Sequence, residues 1–342
     1  MVQPKVVKQV VGIDIGMESF FACYQVKDQH EHIAIKGTKS FKNSPKGMEE
    51  FLSWCEKREK DVAPQPIYVM EATGVYYENL AYFLYENDQK VSVQLAQKLA
   101  YFAKSNNLKT KTDKVDSKMI AAFGMEKTLG ASDLWTPPSK EFRVIRDLSR
   151  EHSSLKKEIT AAKSQLHAMD HAHKTYKKVI TLKKQMISFY KKQLDIIEKE
   201  LKKQIKADDQ LYKKIQNIET VKGLGFITII KVISEVNGFL LFTNIRQLVS
   251  YAGLDVVDKE SGKYKGKARI SKKGNARIRS ALYMPAVAAA THNINLRDFY
   301  ERVNDNRTVK KHGVVAVMRK LLILIYTLWK KNEPYIVDYQ LR

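Results

Sequence analysis

Between residues 9 and 95, apolar and polar positions alternate in short blocks separated by turn residues. "QVVGIDIG" (9–16), "SFFACYQVKD" (19–28) and "HIAIKGTKSF" (32–41) read as three consecutive strands joined by tight turns, an antiparallel opening. A helix is predicted from Met48 to Lys60. After Pro64 and Pro66, "PIYVMEAT" is a buried strand. "YYENLAYFLYEN" then carries aromatic and leucine residues at helical spacing, "KVSVQL" is a further short strand, and the segment after Thr112 is helical. Three strands followed by strand–helix alternation is the order of the ribonuclease-H-like α/β fold.

Pro137 and Pro138 end this alternation. From Ser139 to Lys222 there is no glycine or proline, which favours long helices. Leu148, His152, Leu155, Ile159, Ala162, Leu166 and Met169 alternate at four and three, a heptad seam, and Ile187, Tyr190, Leu194, Ile197 and Leu201 repeat it. Between Asp170 and Lys184 the seam blurs, so one long helix and a helical hairpin both satisfy the pattern. Either offers a surface for self-association.

Gly223 restores mixed composition. "VKGLGFITIIKVISEV" has the glycine turn and helix of a helix-hairpin-helix element, whose backbone N–H groups can hold a phosphate; a tight turn between two core helices fits equally. "DKESGKYKGKARISKKGNARIRS" (258–280) is a glycine- and lysine-rich loop entering a basic helix. "LLILIYTLW" (321–329), bounded by Arg319, Lys320, Lys330 and Lys331, is too short to cross a bilayer and reads as a buried helix. The chain divides as 1–138, 139–217 and 218–342.

Composition adds a partner. The 342 residues are 44% hydrophobic, which is enough for several cores, and carry a formal net charge of +23. Charge of that size opposes compaction and points to a polyanion. Its distribution is uneven. Residues 1–138 hold 18 Lys and Arg against 17 Asp and Glu, residues 139–222 hold 21 against 11, and residues 223–342 hold 21 against 9. The polyanion surface therefore belongs mostly to the last two thirds. Cys23 and Cys55 lie far apart with no CxxC spacing, which excludes a disulfide framework and a cysteine-based zinc site and fits a reducing cytosol. The N-terminus lacks the apolar core of a signal peptide, so a soluble, cytoplasmic protein is expected.

The charge-balanced first third holds the candidate chemistry. Asp14 lies in the apolar strand "VVGIDIG", and Glu71 ends a second buried strand, "IYVMEATG". Carboxylates there are costly to bury unless they meet a cation or donors. "KTDKVDSKMIAAF" adds Asp113 and Asp116 at a helix head, where Asp113 could serve as N-cap and Asp116 could favour the helix dipole. In a ribonuclease-H-like order, adjacent strand ends and that helix head converge. Four carboxylates at one place need a counter-charge, and oxygen donors in that number suit Mg²⁺ or Mn²⁺. "GIDIG" also opens actin- and sugar-kinase-like ATPases, but the chain has no second phosphate loop, adenosine site or Walker A sequence.

Taken with "MEATGVYYENLAYFL", "GLGFITIIKVISEV", "LVSYAGL", "ESGKYKGKARISKKGNARIRSALYMPA" and "MRKLLILIYTL", these stretches resemble, in order and over essentially the whole chain, the DEDD insertion-sequence transposases of the one-hundred-and-ten family. The resemblance implies a RuvC-like N-terminal domain, a coiled-coil insert and a small helical C-terminal transposase domain. It implies a bridge-RNA-guided, metal-dependent DNA recombinase that acts as an oligomer, a dimer or tetramer, on double-stranded donor and target DNA. By motif, the metal-binding acids are Asp14, Glu71, Asp113 and Asp116. The nucleophilic serine is Ser261 in "ESGKYKG". By inspection alone Ser271 in "RISKKGN" is an equally good hydroxyl, and only the family match favours Ser261. Lys222 departs from the proline that many members carry before the glycine turn. The same motifs suit a pilin-type DNA invertase; a hydrolytic RuvC-like junction nuclease would need no serine, and a basic scaffold would use the acids structurally. His167 and His171 in "HAMDHAH" stand four apart, but they lie in the heptad-patterned helix and are read as a hydrated helix face.

Overall fold

The computed structural model describes residues 4–59, 64–72, 74–107, 112–240, 242–257, 260–261, 264–266 and 269–336. Two compact units divide it, residues 1–137 and 138–342.

In the first unit, β1 (Val6–Ile15), β2 (Ser19–Asp28) and β3 (Ile33–Lys42) form an antiparallel meander. The helix α1 (Pro45–Glu56) starts three residues earlier than the apolar pattern predicts. Ser44 accepts the Gly47 N–H as N-cap, and Pro45 fills the first helical position, where no N–H is needed. Then come β4 (Ile67–Glu71), α2 (Glu78–Glu86), β5 (Lys90–Gln94), α3 (Ala96–Ser105) and α4 (Asp113–Glu126). The sheet order is β3-β2-β1-β4-β5, with β1, β4 and β5 parallel. The antiparallel opening and the strand–helix alternation thus close into one mixed sheet. The helix α3 is not foreseen by the sequence pattern, because only Leu99 and Phe102 of its ten residues are buried.

Each sheet face has its own core. Val11, Ile13 and Ile15 pack with Phe51, Trp54, Leu80 and Leu84 on one side, while Val10 and Val69 pack with Leu99, Phe102, Ile120 and Phe123 on the other. On that second side α4 lies directly on the sheet. A Cβ at Gly12 would overlap the backbone of Ser117 and Ala121, and one at Gly124 would meet Val10 Cγ1 at 2.6 Å and Val69 Cγ2 at 2.9 Å. Gly12→Ala is therefore expected to force α4 off β1 and cost about 3 kcal/mol, since helix backbone cannot rotate away as a side chain can. A chemical-denaturation series would measure it.

The second unit begins with α5 (Lys140–His171) and α6 (Lys177–Lys206), which settle the choice in favour of a hairpin. His152 Nε2 lies 3.1 Å from Glu198 Oε1, and Lys183 Nζ donates to Gln165 Oε1 at 2.8 Å, two side-chain links between antiparallel helices. Leu155, Ile159 and Leu194 form the seam between the helices. There follow α7 (Asp209–Glu219), α8 (Phe226–Glu235), α9 (Ile245–Tyr251), four two-residue strands β6 (Val256–Val257), β7 (Glu260–Ser261), β8 (Tyr264–Lys265) and β9 (Arg269–Ile270), and then α10 (Ala276–His292), α11 (Ile294–Asn304) and α12 (Lys311–Lys331). The core helix α12 corrects the sequence reading in one respect. At 21 residues it is long and apolar enough to cross a membrane, not too short. Its Val317, Leu321, Leu322, Leu324, Ile325 and Leu328 are nevertheless buried against the other helices of the unit, the packing of a core helix.

Candidate active site

The acids of the first unit are placed by strand alternation and by one close crossing. Register pairs Ile13 with Met70 in parallel, so Asp14 and Glu71 follow side by side at the carboxyl ends of β1 and β4. Side chains two apart share a face, so Asp14 stands on the face of Val10 and Gly12, and Glu71 on that of Val69. That face carries α4, which runs antiparallel to β1. Gly124 sits over Val10 and Val69, and Ala121 and Ser117 sit over Gly12. Continuing the progression brings the first turn of α4, with Asp113 and Asp116, over Asp14. Asp14, Glu71 and Asp116 are half-buried and Asp113 is exposed.

Capping is not what Asp113 does. The N-cap is Thr112, whose hydroxyl accepts the Val115 N–H at 3.3 Å and whose carbonyl accepts those of Val115 and Asp116. Asp113 and Asp116 are instead both helical residues of the first turn, where the dipole favours negative charge. The backbone sets Asp14 and Glu71 at neighbouring strand ends and Asp113 and Asp116 in the first turn of the helix that covers the same sheet face. Among the described residues, however, no three Asp, Glu, His or Cys side chains are drawn together as a metal-ligand set. The all-oxygen donors fit a hard divalent cation.

Around this corner the sheet end is apolar where loops are usually polar. Met17, Val75, Tyr76 and Leu95, each just past or beside a strand end, are 63%, 63%, 41% and 59% exposed. Asn43 Nδ2 donates to the carbonyls of Gly16 (3.1 Å) and Tyr76 (3.2 Å), tying the turn after β1 to the segment before α2. Sequence reading passed over this rim; four large apolar residues at turn positions were its available signal.

In the second unit, Ser261 stands exposed on β7, paired with Tyr264 of β8. Nearer its base the arm is closed by β6 and β9, Val256 facing Ile270 and Val257 facing Arg269. Ser271 is not an equivalent hydroxyl. It donates to Asp255 Oδ1 at 2.6 Å, while its Oγ accepts the Lys273 N–H and its own N–H meets the Asp255 carbonyl. These bonds lock the base of the arm.

Beside that base lies a buried ion network that sequence reading missed. The Glu235 carboxylate receives Arg150 Nε at 2.7 Å and Nη2 at 3.1 Å, and Asn275 Nδ2 at 2.9 Å. Asn275 also caps α10. Burial alone would raise the Glu235 pKa; the hydrogen bonds from Arg150 and Asn275 and the nearby guanidinium charges of Arg150 and Arg277 overcome it and hold the pKa below the ordinary carboxylate value. A depressed folded pKa contributes stability above the unfolded value, near 4.5, and loses it as pH falls through the folded one. Glu235→Gln should thus cost roughly 2 kcal/mol at pH 7, less than for a fully buried pair because Arg150 and Arg277 reach water. The gap between the melting curves of the two proteins should narrow as pH falls from 4.5 through the depressed folded pKa.

The glycine turn of the second unit has a specific geometry. Gly223 has φ +103°, and a Cβ there would meet Ala289 Cβ at 2.7 Å. The Glu219 carboxylate accepts the Phe226 N–H at the head of α8, and burial raises its pKa. His167 and His171 are exposed on α5, their Nε2 atoms 3.2 Å apart.

An antiparallel–parallel five-stranded sheet with acids at the parallel strand ends defines a ribonuclease-H-like domain, joined to a helical second unit that carries an exposed serine on a hairpin arm. Residues 11–170 match the transposase profile of the IS110 DEDD domain, and residues 215–301 match "Transposase IS116/IS110/IS902 family". Both matches are to transposase domains, the first running from the first unit into the second and the other lying within the second. It is 25% identical over 330 residues to the pilin gene-inverting protein of Moraxella bovis, covering 96% of this chain and 98% of that one. It is 28% identical over 141 residues to the transposase for insertion sequence element IS1111A of Coxiella burnetii (strain RSA 493 / Nine Mile phase I), covering 40% and 38%. Among solved structures, the fowlpox virus Holliday junction resolvase matches 34% of this chain and 97% of its own at 13% identity and a TM-score of 0.25.

Proposed function

We propose that the protein is an RNA-guided DNA recombinase of the transposase type that cleaves and rejoins strands through a phosphoserine intermediate. What supports this best is that Asp14 and Glu71 follow paired register positions at neighbouring strand ends while Asp113 and Asp116 stand in the first turn of the helix on that face, in a chain that also exposes Ser261. The four acids would hold Mg²⁺ or Mn²⁺, which when bound supplies polarisation of a phosphate oxygen. The backbone of Asp14 and Glu71 is held by strand pairing and that of Asp113 and Asp116 by the Thr112-capped helix, so binding a cation would require only side-chain rotation. Met17, Val75, Tyr76 and Leu95 give nucleobases an apolar rim beside them.

At Ser261 the hydroxyl oxygen bonds to phosphorus as the bond from phosphorus to a deoxyribose oxygen breaks. The hydroxyl proton passes to water, and the departing oxygen takes one up. One phosphodiester replaces another, so the reverse step by a second strand rejoins DNA without ATP. The α5–α6 hairpin serves as a coiled-coil insert for assembly into a dimer or tetramer. The net charge of the second unit suits both structured RNA and duplex DNA.

The match over nearly the whole length to a pilin gene-inverting protein favours a second reading, inversion of a DNA segment by the same chemistry. Guidance is tested by treating the purified protein with RNase. Recombination should be lost, and it should return on adding RNA transcribed from the DNA flanking the gene. Recombination at full rate without RNA would discard the guide.

A further inference from the structure

The far end of α4 carries a second feature, and its chemistry differs from that of the acid corner. Phe123 and Lys127 lie ten and fourteen residues along the chain from Asp113, roughly 15–20 Å away at helical rise. There α3 and the end of α4 border an open groove of about 460 Å³, within the range of roughly 300–1,000 Å³ typical of small-ligand sites. Its floor is Phe102 and Phe123, set edge to face with centroids 5.4 Å apart. On its lip stands Tyr101, half exposed. Lys98 and Lys127 line its edges.

Lys98 Nζ donates to Gln94 Oε1 at 3.1 Å, one of an ammonium group's three donors. The carbonyls of Met125 and Lys127 at the end of α4 already receive Lys8 Nζ, at 2.9 and 2.7 Å, which leaves the Lys127 side chain outside that capping role. Lys8 adds a third ammonium group at this end. The one acid in the lining, Asp133, accepts the Gly130 N–H to close a turn and is outnumbered by the two lysines. An exposed aromatic lip, an aromatic floor and flanking ammonium groups match one chemistry, a flat aromatic base joined to phosphate.

We propose that this groove holds a single unpaired nucleotide of a nucleic-acid strand, its base stacked on Tyr101 above Phe102 and Phe123 and its phosphates on Lys98 and Lys127. A strand rather than a free nucleotide is favoured because the groove is open and lies on the domain that carries the acids. The inference rests on the reading of the protein as a nucleic-acid enzyme. It adds a place where a base is held out of the helix.

The probe is an RNA hairpin with one 5-iodouridine, either unpaired in a bulge or paired in the stem, cross-linked by light to the full-length protein. Excess unlabelled duplex suppresses sequence-independent phosphate binding. 5-Iodouridine monophosphate serves as the free-nucleotide arm. The bulged probe is expected to label residues 98–105, and Tyr101→Ala and Lys127→Glu should each cut the yield about tenfold. Tyr101 and Lys127 are exposed, so both variants should melt with the parent protein. Equal labelling by the paired probe, or labels mapping elsewhere, would overturn the proposal. Equal labelling by the mononucleotide would overturn the assignment to a strand. Asp113→Asn should leave the label unchanged, because cross-linking requires no cleavage. Loss of the label with strand cleavage intact would thus remove this inference alone.

Discussion

Asp113→Asn is expected to abolish DNA strand cleavage, by a factor of a thousand or more, while leaving the fold and nucleic-acid binding in place. The carboxylate stands exposed in the first turn of α4 and does not cap it, because Thr112 does. Asparagine has the same shape and keeps the helical backbone hydrogen bonds, so the stability change should stay within about 0.5 kcal/mol, part of it the lost interaction with the helix dipole. What disappears is one negative oxygen donor from the site proposed to hold a hard cation. The measurement pairs a metal-titrated cleavage assay with a thermal melt. Asp14→Asn should behave alike in cleavage. Full cleavage by Asp113→Asn would refute the metal role of the corner.

Ser261→Ala should eliminate the covalent protein–DNA adduct and all recombinant product. The side chain is exposed on a two-residue strand, so truncation should cost no more than about 0.5 kcal/mol, and binding of RNA and DNA should persist. Ser271→Ala is the discriminating partner. It removes a hydroxyl bonded to the Asp255 carboxylate at 2.6 Å and should cost about 1–2 kcal/mol by loosening the base of the arm, yet still give the adduct. Mass spectrometry of the trapped complex decides between the two. Nucleotide on Ser271, or on no serine, would overturn the phosphoserine step; free ends without any adduct would indicate hydrolysis.

Periodicity by itself determined the five strands of the first unit, most of its helices and the long α5 and α6. Each of these follows from which side chains a strand or helix must bury along its own length. It also exposed Asp14 and Glu71 as exceptions, since they interrupt apolar runs, whereas Asp113 and Asp116 were legible only as acids at a helix head. Charge counting located the basic surface in the second unit. Where neighbouring residues compete for one role, pattern was not enough: Thr112 and Asp113 are both good caps, and backbone geometry gave the place to Thr112. The hydroxyls of Ser261 and Ser271 look alike in sequence, and only the fold brought Asp255 against the second. The turn between α5 and α6, the length of α12 inside its core and the burial of α3 likewise depended on partners distant in the chain. The tertiary structure alone decided that α4 crosses β1 at Gly12, where the absence of a side chain lets helix and strand backbones touch and sets the helix head above Asp14. It alone drew Arg150, Glu235 and Asn275 into one network. Such contacts join residues scores of positions apart, and their energy exists only once packing has excluded water, so no local pattern can carry them.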